Sequence, residues 1–250
     1  MYIYKYEEFL LEHSKSDPIP ELTWKKQGKT AIFLMGAPGS GKSTFVNNYI
    51  LPKLRNYKVF DSDKLMMQLL RIGKEVAVKG EQEMKDKIAS MRHSIHRLNT
   101  EYDIPIKLTD NEIMDIINNN VFIPSGTPLL DKQFITFMEY SNSDVIYDST
   151  GTNFENIERY TNIARSHGYK ILFIKINTSI ESSVRGNLER QRKVQIDYQL
   201  DTIEKSSNLE RKFMELNPDA YYIYDRENSE LLPAKEMWEK TKLNNGNTTL

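Results

Sequence analysis

Gly36-Ala37-Pro38-Gly39-Ser40-Gly41-Lys42-Ser43 is the stretch on which the reading of this chain turns. It satisfies G-x-x-x-x-G-K-S/T in full, with the apolar run Ala31 to Met35 before it and Phe45, Val46, Tyr49 and Ile50 at helical spacing after it. That is strand, glycine-rich turn, helix. In such a turn the glycines let backbone N–H groups converge on phosphate oxygens, and the positive end of the next helix adds to the attraction. Lys42 brings a full charge to the β- and γ-phosphates, and Ser43 is the expected Mg2+ ligand. The nucleotide-binding set is therefore Gly36, Ala37, Pro38, Gly39, Ser40, Gly41, Lys42, Ser43 and Thr44, with ATP or GTP as phosphate donor and Mg2+ as cofactor.

Outward from the turn, strands alternate with helices. Tyr57 to Phe60 predicts a strand ending at Asp61-Ser62-Asp63, with Leu65 to Ile72 helical beyond it. Residues 73–143 predict a helical insertion, since Met84, Ile88, Met91, Ile95 and Leu98 recur every three or four positions and Asn111 to Ile117 is amphipathic. Val145 to Tyr147 predicts a buried strand ending at Asp148, then a helix from Phe154 to His167 closed by Gly168, then a strand from Lys170 to Lys175. A polar helix from Ser179 to about Arg192, a charged stretch to Ser207, a helix from Asn208 to Leu216, a strand from Tyr221 to Tyr224 and a helix from Pro233 to Leu243 complete the pattern. The expected fold is α/β of the P-loop NTPase type, a parallel sheet covered by helices on both faces with a helical insertion. Residues 1–28 read as an amino-terminal appendage, 29–243 as one kinase-sized domain, and 244–250 as a frayed tail.

Composition narrows the chemistry. The 250 residues are 39% hydrophobic and 28% charged with a formal net charge of -1, so no global field attracts nucleic acid or an anionic membrane. With no cysteine, catalysis and metal binding fall to oxygen and nitrogen ligands. Glu7 and Glu8 occupy the place where a signal peptide carries its apolar run, and no stretch is apolar enough to span a membrane, so the expectation is a cytoplasmic protein.

A phosphate cradle does not say what accepts the phosphate, because motors and switches share it. Transfer to a hydroxyl calls for a carboxylate in hydrogen-bond reach of that hydroxyl. Asp61 and Asp63, two apart at a strand end, are placed to face one side. Asp63 equally suits the cap of the helix that follows, and the two roles are compatible. Asp148 stands where a strand-end carboxylate holds Mg2+ through water in many P-loop proteins, and it is also placed to face a substrate. Ser149, Thr150, Thr152 and Asn153 surround it with hydroxyl and amide groups, which also suit a turn and a helix cap. Arg185, Arg190 and Arg192 lie on or just after a polar helix followed by few apolar anchors. We read about 185–207 as a lid that brings Arg190 and Arg192 to the γ-phosphoryl charge and excludes water; a solvated charged face is the other reading.

Together these motifs resemble the zeta toxin and polynucleotide kinase-like P-loop kinases. The likeness is carried by Gly36 to Ser43, Val59-Phe60-Asp61-Ser62-Asp63, Val145-Ile146-Tyr147-Asp148-Ser149-Thr150-Gly151 and Leu188-Glu189-Arg190, with a weaker echo in Tyr224-Asp225-Arg226-Glu227. It implies Asp63 as the base, Asp148 and Thr150 as acceptor contacts, and Arg190 and Arg192 as γ-phosphate contacts. Zeta toxins that act on UDP-N-acetylglucosamine carry an arginine directly after the acidic-x-Thr-Gly motif. Here Thr152 stands there, and with the insertion it points to another acceptor. The resemblance is compatible with an inhibitory, antitoxin-like protein partner.

The expectation is a kinase for a hydroxyl on a small phosphorylated or nucleotide-linked acceptor, with Asp61, Asp148, Thr150 and Asn153 on the acceptor side and Ser43 and Asp148 at the metal. A polynucleotide kinase is the alternative, using Lys85, Lys87, Arg92, His93, His96 and Arg97 of the insertion as a groove for a 5′-hydroxyl or a modified-base hydroxyl. The polar side of an amphipathic helix explains the same residues. An ATPase without an acceptor is the third reading, and it leaves the carboxylate base without a task.

Overall fold

The computed structural model describes residues 28–61, 81–119, 126–190 and 193–246. Most of the appendage, the helix predicted over Leu65 to Ile72, Asp63, Arg192 and residues 247–250 lie outside the described residues.

Strand β1 (Thr30–Met35) is buried at every position, as a continuous apolar run must be when helices cover both sheet faces. It lies between β3 (Asp144–Ser149) and β4 (Lys170–Asn177), with β2 (Tyr57–Asp61) outside β3 and β5 (Ala220–Asp225) outside β4, all parallel. The sheet has six strands in the order β2-β3-β1-β4-β5-β6. Because the chain leaves β1 for the far side of β3 and later returns on the other side of β1, the crevice at the carboxyl ends of β1 and β3 is where such a sheet receives ligands. The last strand, β6 (Glu230–Pro233), is antiparallel to β5 and was not foreseen.

Alternation along β1 sorts the core into two layers. Phe33 and Met35, with Tyr147 and Phe173, face α4 (Gly126–Tyr140), α5 (Phe154–Ser166), the short helix Lys212–Leu216 and α8 (Ala234–Gly246). Ile32 and Leu34, with Ile146 and Ile174, face α1 (Lys42–Phe45), which continues through the wider turn Val46–Ile50. Burying each such side chain contributes about 1.5–3 kcal/mol.

A third core stands apart from the sheet. Met91 and Leu98 of α2 (Glu81–Thr100) and Ile113, Ile116 and Ile117 of α3 (Asp110–Asn119) pack with Val184 of α6 (Ile180–Leu188) and with Ile196 and Leu200 of α7 (Ile196–Leu209). Three differences from the sequence reading follow. The polar helix ends at Leu188, so Arg190 lies beyond it rather than on it. The stretch to Ser207 is largely α7, and it is anchored. The third insertion helix, α4, sends Phe134 and Met138 into the sheet core instead of joining the other two. Among the described residues no helix is long and apolar enough to cross a membrane.

Candidate active site

Register assembles one wall of the site. Asp61 pairs with Asp148 across β2 and β3, and Asp148 pairs with Leu34 across β3 and β1. Neighbours in parallel register point to the same face. Leu34 belongs to the α1 layer, so both carboxylates face the side on which α1 begins. Lys42 Nζ stands 4.0 Å from Asp148 Oδ1 with the two side chains 14% and 15% exposed. The same ammonium donates to the carbonyls of Gly36 at 2.6 Å and Ala37 at 3.2 Å. It is held at the base of the loop, beside a carboxylate and facing the open cleft.

The loop itself owes its path to glycine at its tip. Gly39 has φ +79, and a Cβ there would lie 2.1 Å from the carbonyl oxygen of Ser183 and 2.6 Å from the backbone nitrogen of Asn187, so no other residue fits. Gly41 precedes α1 at φ 92, and no side chain caps the helix. Its first N–H groups cannot be satisfied within the helix and are suited to phosphate oxygens. Gly151, at φ +76, turns the chain after β3 where a Cβ would meet Met35 Cβ at 3.1 Å.

The cleft above these elements has a volume of about 730 Å³. That lies in the ordinary range for small-molecule sites, roughly 300–1,000 Å³. Lys42, Ser43, Thr44, Asp61, Asp148, Thr150, Asn153 and Arg190 all line it. Gly36 and Ala37 do not, since they are buried beneath the loop and present their carbonyls to Lys42. Thr150 and Thr152 share a hydrogen bond of 2.9 Å. Asn153 is the cap of α5, its side-chain oxygen accepting from the Asn156 N–H at 3.0 Å, while it still borders the cleft. Ser43 and Asp148 are hard oxygen donors in one cleft, the kind of set that Mg2+ combines with phosphate and water. Among the described residues no group of three or more His, Cys, Asp or Glu gathers as a metal site.

Among the polar side chains that line the cleft, Asn156, Glu189, Tyr198 and Arg226 were not assigned a role from the sequence. Arg226 Nη1 donates to the Gly39 carbonyl at 3.1 Å. Its neighbour Glu227 accepts from the Ser179 N–H and the Thr178 hydroxyl, each at 2.9 Å, and so holds the start of α6. Partial burial alone would raise the Glu227 carboxyl, but hydrogen bonds from the Ser179 backbone and from the Thr178, Ser182 and Ser179 hydroxyls bring it down to about 2. The available signal was the charged pair directly after the apolar strand in Tyr224-Asp225-Arg226-Glu227.

Fold and cleft together define an α/β chain that carries a P-loop-type phosphate cradle at the carboxyl ends of a mostly parallel sheet. No protein-family model matches the chain, and no characterised protein matches it by sequence. Its structure is similar to one from the PezAT chromosomal toxin–antitoxin system of Streptococcus pneumoniae, with a TM-score of 0.46 and 12% identity, covering 93% of this chain and 81% of that one. It is also similar to AvrRxo1-ORF1:-ORF2 with ATP, at a TM-score of 0.44 and 14% identity over 94% of this chain and 71% of that one. A third similar structure is shikimate kinase from Bacteroides thetaiotaomicron, at a TM-score of 0.39 and 16% identity over 78% and 86% of the two chains. At these identities the likeness concerns the fold alone.

Proposed function

We propose that this protein is a kinase that moves the γ-phosphate of ATP or GTP onto a hydroxyl of a small phosphorylated or nucleotide-linked compound. The observation that carries the reading is the convergence on one cleft of the glycine-rich loop, Lys42, the register-paired carboxylates Asp61 and Asp148, and Arg190. A protein that only hydrolyses nucleotide needs no pocket of hydroxyl and amide groups beside the phosphates, and here Thr150, Thr152 and Asn153 line one.

In this reading Lys42 exchanges the Gly36 and Ala37 carbonyls for β- and γ-phosphate oxygens. Ser43 and Asp148 would hold Mg2+, which when bound neutralises charge on those phosphates. Asp63 takes the acceptor's proton, with Asp61 facing the cleft two residues before it. The acceptor oxygen bonds to the γ-phosphorus as the bond to the bridging oxygen breaks, ADP or GDP leaves, and the hydroxyl proton passes to the carboxylate. Arg190 and Arg192 stabilise the charge that spreads over the transferring oxygens.

The small acceptor is supported by the insertion's own charges. Arg92 pairs with Asp110 at 2.8 Å and Arg97 with Glu101 at 3.0 Å, so two cations of the supposed groove are engaged by carboxylates. The test is incubation with Mg2+ and γ-labelled ATP or GTP over a panel of small hydroxyl compounds and oligonucleotides. Label should reach a small acceptor, with little dependence on salt, and Lys42→Ala should abolish transfer. Label found only in inorganic phosphate, whatever acceptor is offered, would make the protein an ATPase. Preference for an oligonucleotide with steep salt dependence would reverse the acceptor class.

A further inference from the structure

Ser183, Asn187 and Gln199 are each fully buried polar side chains, and the chemistry above uses none of them. Their hydrogen bonds converge on the tip of the phosphate loop. The Gln199 carboxamide nitrogen donates to the Pro38 carbonyl at 2.8 Å, and the Ser183 hydroxyl donates to that same carbonyl at 2.8 Å. Gln199 also reaches the Ser183 carbonyl at 2.8 Å, and its oxygen accepts from the Asn187 amide at 3.1 Å. Asn187 in turn grips Val194 on both sides, donating to its carbonyl and accepting from its N–H at 2.9 Å each. The Arg190 N–H donates to the Asn187 carbonyl at 3.2 Å. One continuous set of neutral amides and a hydroxyl therefore links the loop that cradles phosphate to the backbone that carries Arg190.

Two further contacts make the link rigid. Gly39 and Gly186 meet backbone to backbone, since a Cβ on Gly186 would lie 2.6 Å from the Gly39 carbonyl oxygen. On the far side, Asp197 of α7 accepts from Ser90 of α2 at 2.7 Å, so the helical layer backs the network. Buried polar groups that are fully partnered fix one arrangement, because any shift leaves a donor or acceptor unsatisfied in a dry interior.

We infer that Gln199, acting through Ser183 and Asn187, is a positioning residue that makes the phosphate loop and the Arg190 segment move as one body. Occupancy of the cradle is then transmitted to the arginine, so the cation is set in place by the nucleotide it acts on. This rests on reading the cleft as a phosphoryl-transfer site, and its test does not require the acceptor.

The test is amide hydrogen exchange on the full chain with and without saturating Mg2+ and ATP, together with an ATP titration. In the wild type, ATP should slow exchange across residues 36–45 and also across 187–190 and 194–199. Gln199→Met keeps the volume and removes the donors, and Ser183→Ala removes one donor to Pro38 with little change in packing. In either variant ATP should still protect 36–45, bind roughly 3- to 10-fold more weakly for the loss of hydrogen bonds, and no longer protect 187–199. A residue that mattered only for stability would raise exchange in both segments equally and leave the ATP response intact. Protection confined to 36–45 in the wild type, or still reaching 187–199 in a folded variant, would overturn the inference. Failure of the wild type to bind ATP would instead sink the reading of the cleft.

Discussion

Asp148 and Arg190 face the same cleft from walls held in place by opposite means. Asp148 is the penultimate residue of a strand whose Val145 and Ile146 are completely buried, so its position follows from backbone ladders and apolar packing on both sheet faces. Arg190 follows a helix of nine residues and depends on the buried amides of Asn187 and Gln199. A wall made from ladders tolerates loss of one side chain, because each strand is held along its whole length. A wall made from a few satisfied amides does not, since its geometry passes through every one of them.

That contrast is broken most directly by the residues of the chemistry itself. Arg190→Ala should lower the maximal rate by roughly 10³, the lower end for an arginine acting on transition-state charge. The nucleotide Michaelis constant should change by only a few-fold. Equal changes in both would make Arg190 a ground-state anchor and remove the reason for coupling it to the loop. Asp63→Asn, at the proposed base, should cut transfer by roughly 10² to 10⁴ with nucleotide affinity nearly kept, and Asp61→Asn should do less. If the two rank in reverse, Asp61 is the base.

The next effect concerns stability. Lys175 is 3% exposed on β4, in register beside Met35 where β1 enters the loop, and it pairs with Glu210, which also accepts from the Trp238 indole. Burial lowers the Lys175 pKa, and the Glu210 carboxylate opposes that shift. Lys175→Met leaves a carboxylate buried without its cation, and unfolding by denaturant should show a loss of about 3–5 kcal/mol. Adding Glu210→Gln should restore most of it. No recovery in the double variant would mean that Lys175 supports the strand wall by packing alone.

The same division governs what could be read from the sequence. The strand wall was legible because Ala31 to Met35 and Val145 to Tyr147 are apolar runs ending in glycine-rich or acidic turns, a local pattern with a local cause. The helical wall was not, because α7 buries Gln199, Thr202 and Ser206 along with Ile196 and Leu200, so its inner face lacks the apolar periodicity that announces a packed helix. The strand Glu230–Pro233 has four residues, no alternation and a terminal proline, and only its pairing with β5 makes it a strand. Arg226 was visible as a charged residue after a strand, but its contact with Gly39 is made by tertiary structure alone.

The smallest expected effect sits where the two walls join. Glu227 lies in the turn after β5 and holds Thr178 and Ser179, which lead into α6, so it ties the helical wall to the sheet. Its carboxyl lies at about 2 in the folded chain against an ordinary 4.5. A depressed carboxyl contributes stability that is complete above the ordinary range and is lost as pH falls through the folded value. The group is largely open to solvent, so screening reduces the contribution to on the order of 1 kcal/mol. Glu227→Gln should therefore lower Tm by about 2–4 °C at neutral pH. The gap between wild type and variant should narrow as pH falls from the ordinary carboxyl range towards the depressed folded value, and close near the latter. Thermal melts at a series of acid pH values measure it directly. A gap that stays constant across the series would show that Glu227 holds α6 through shape rather than charge, and the join between the walls would then be a matter of packing like the strands themselves.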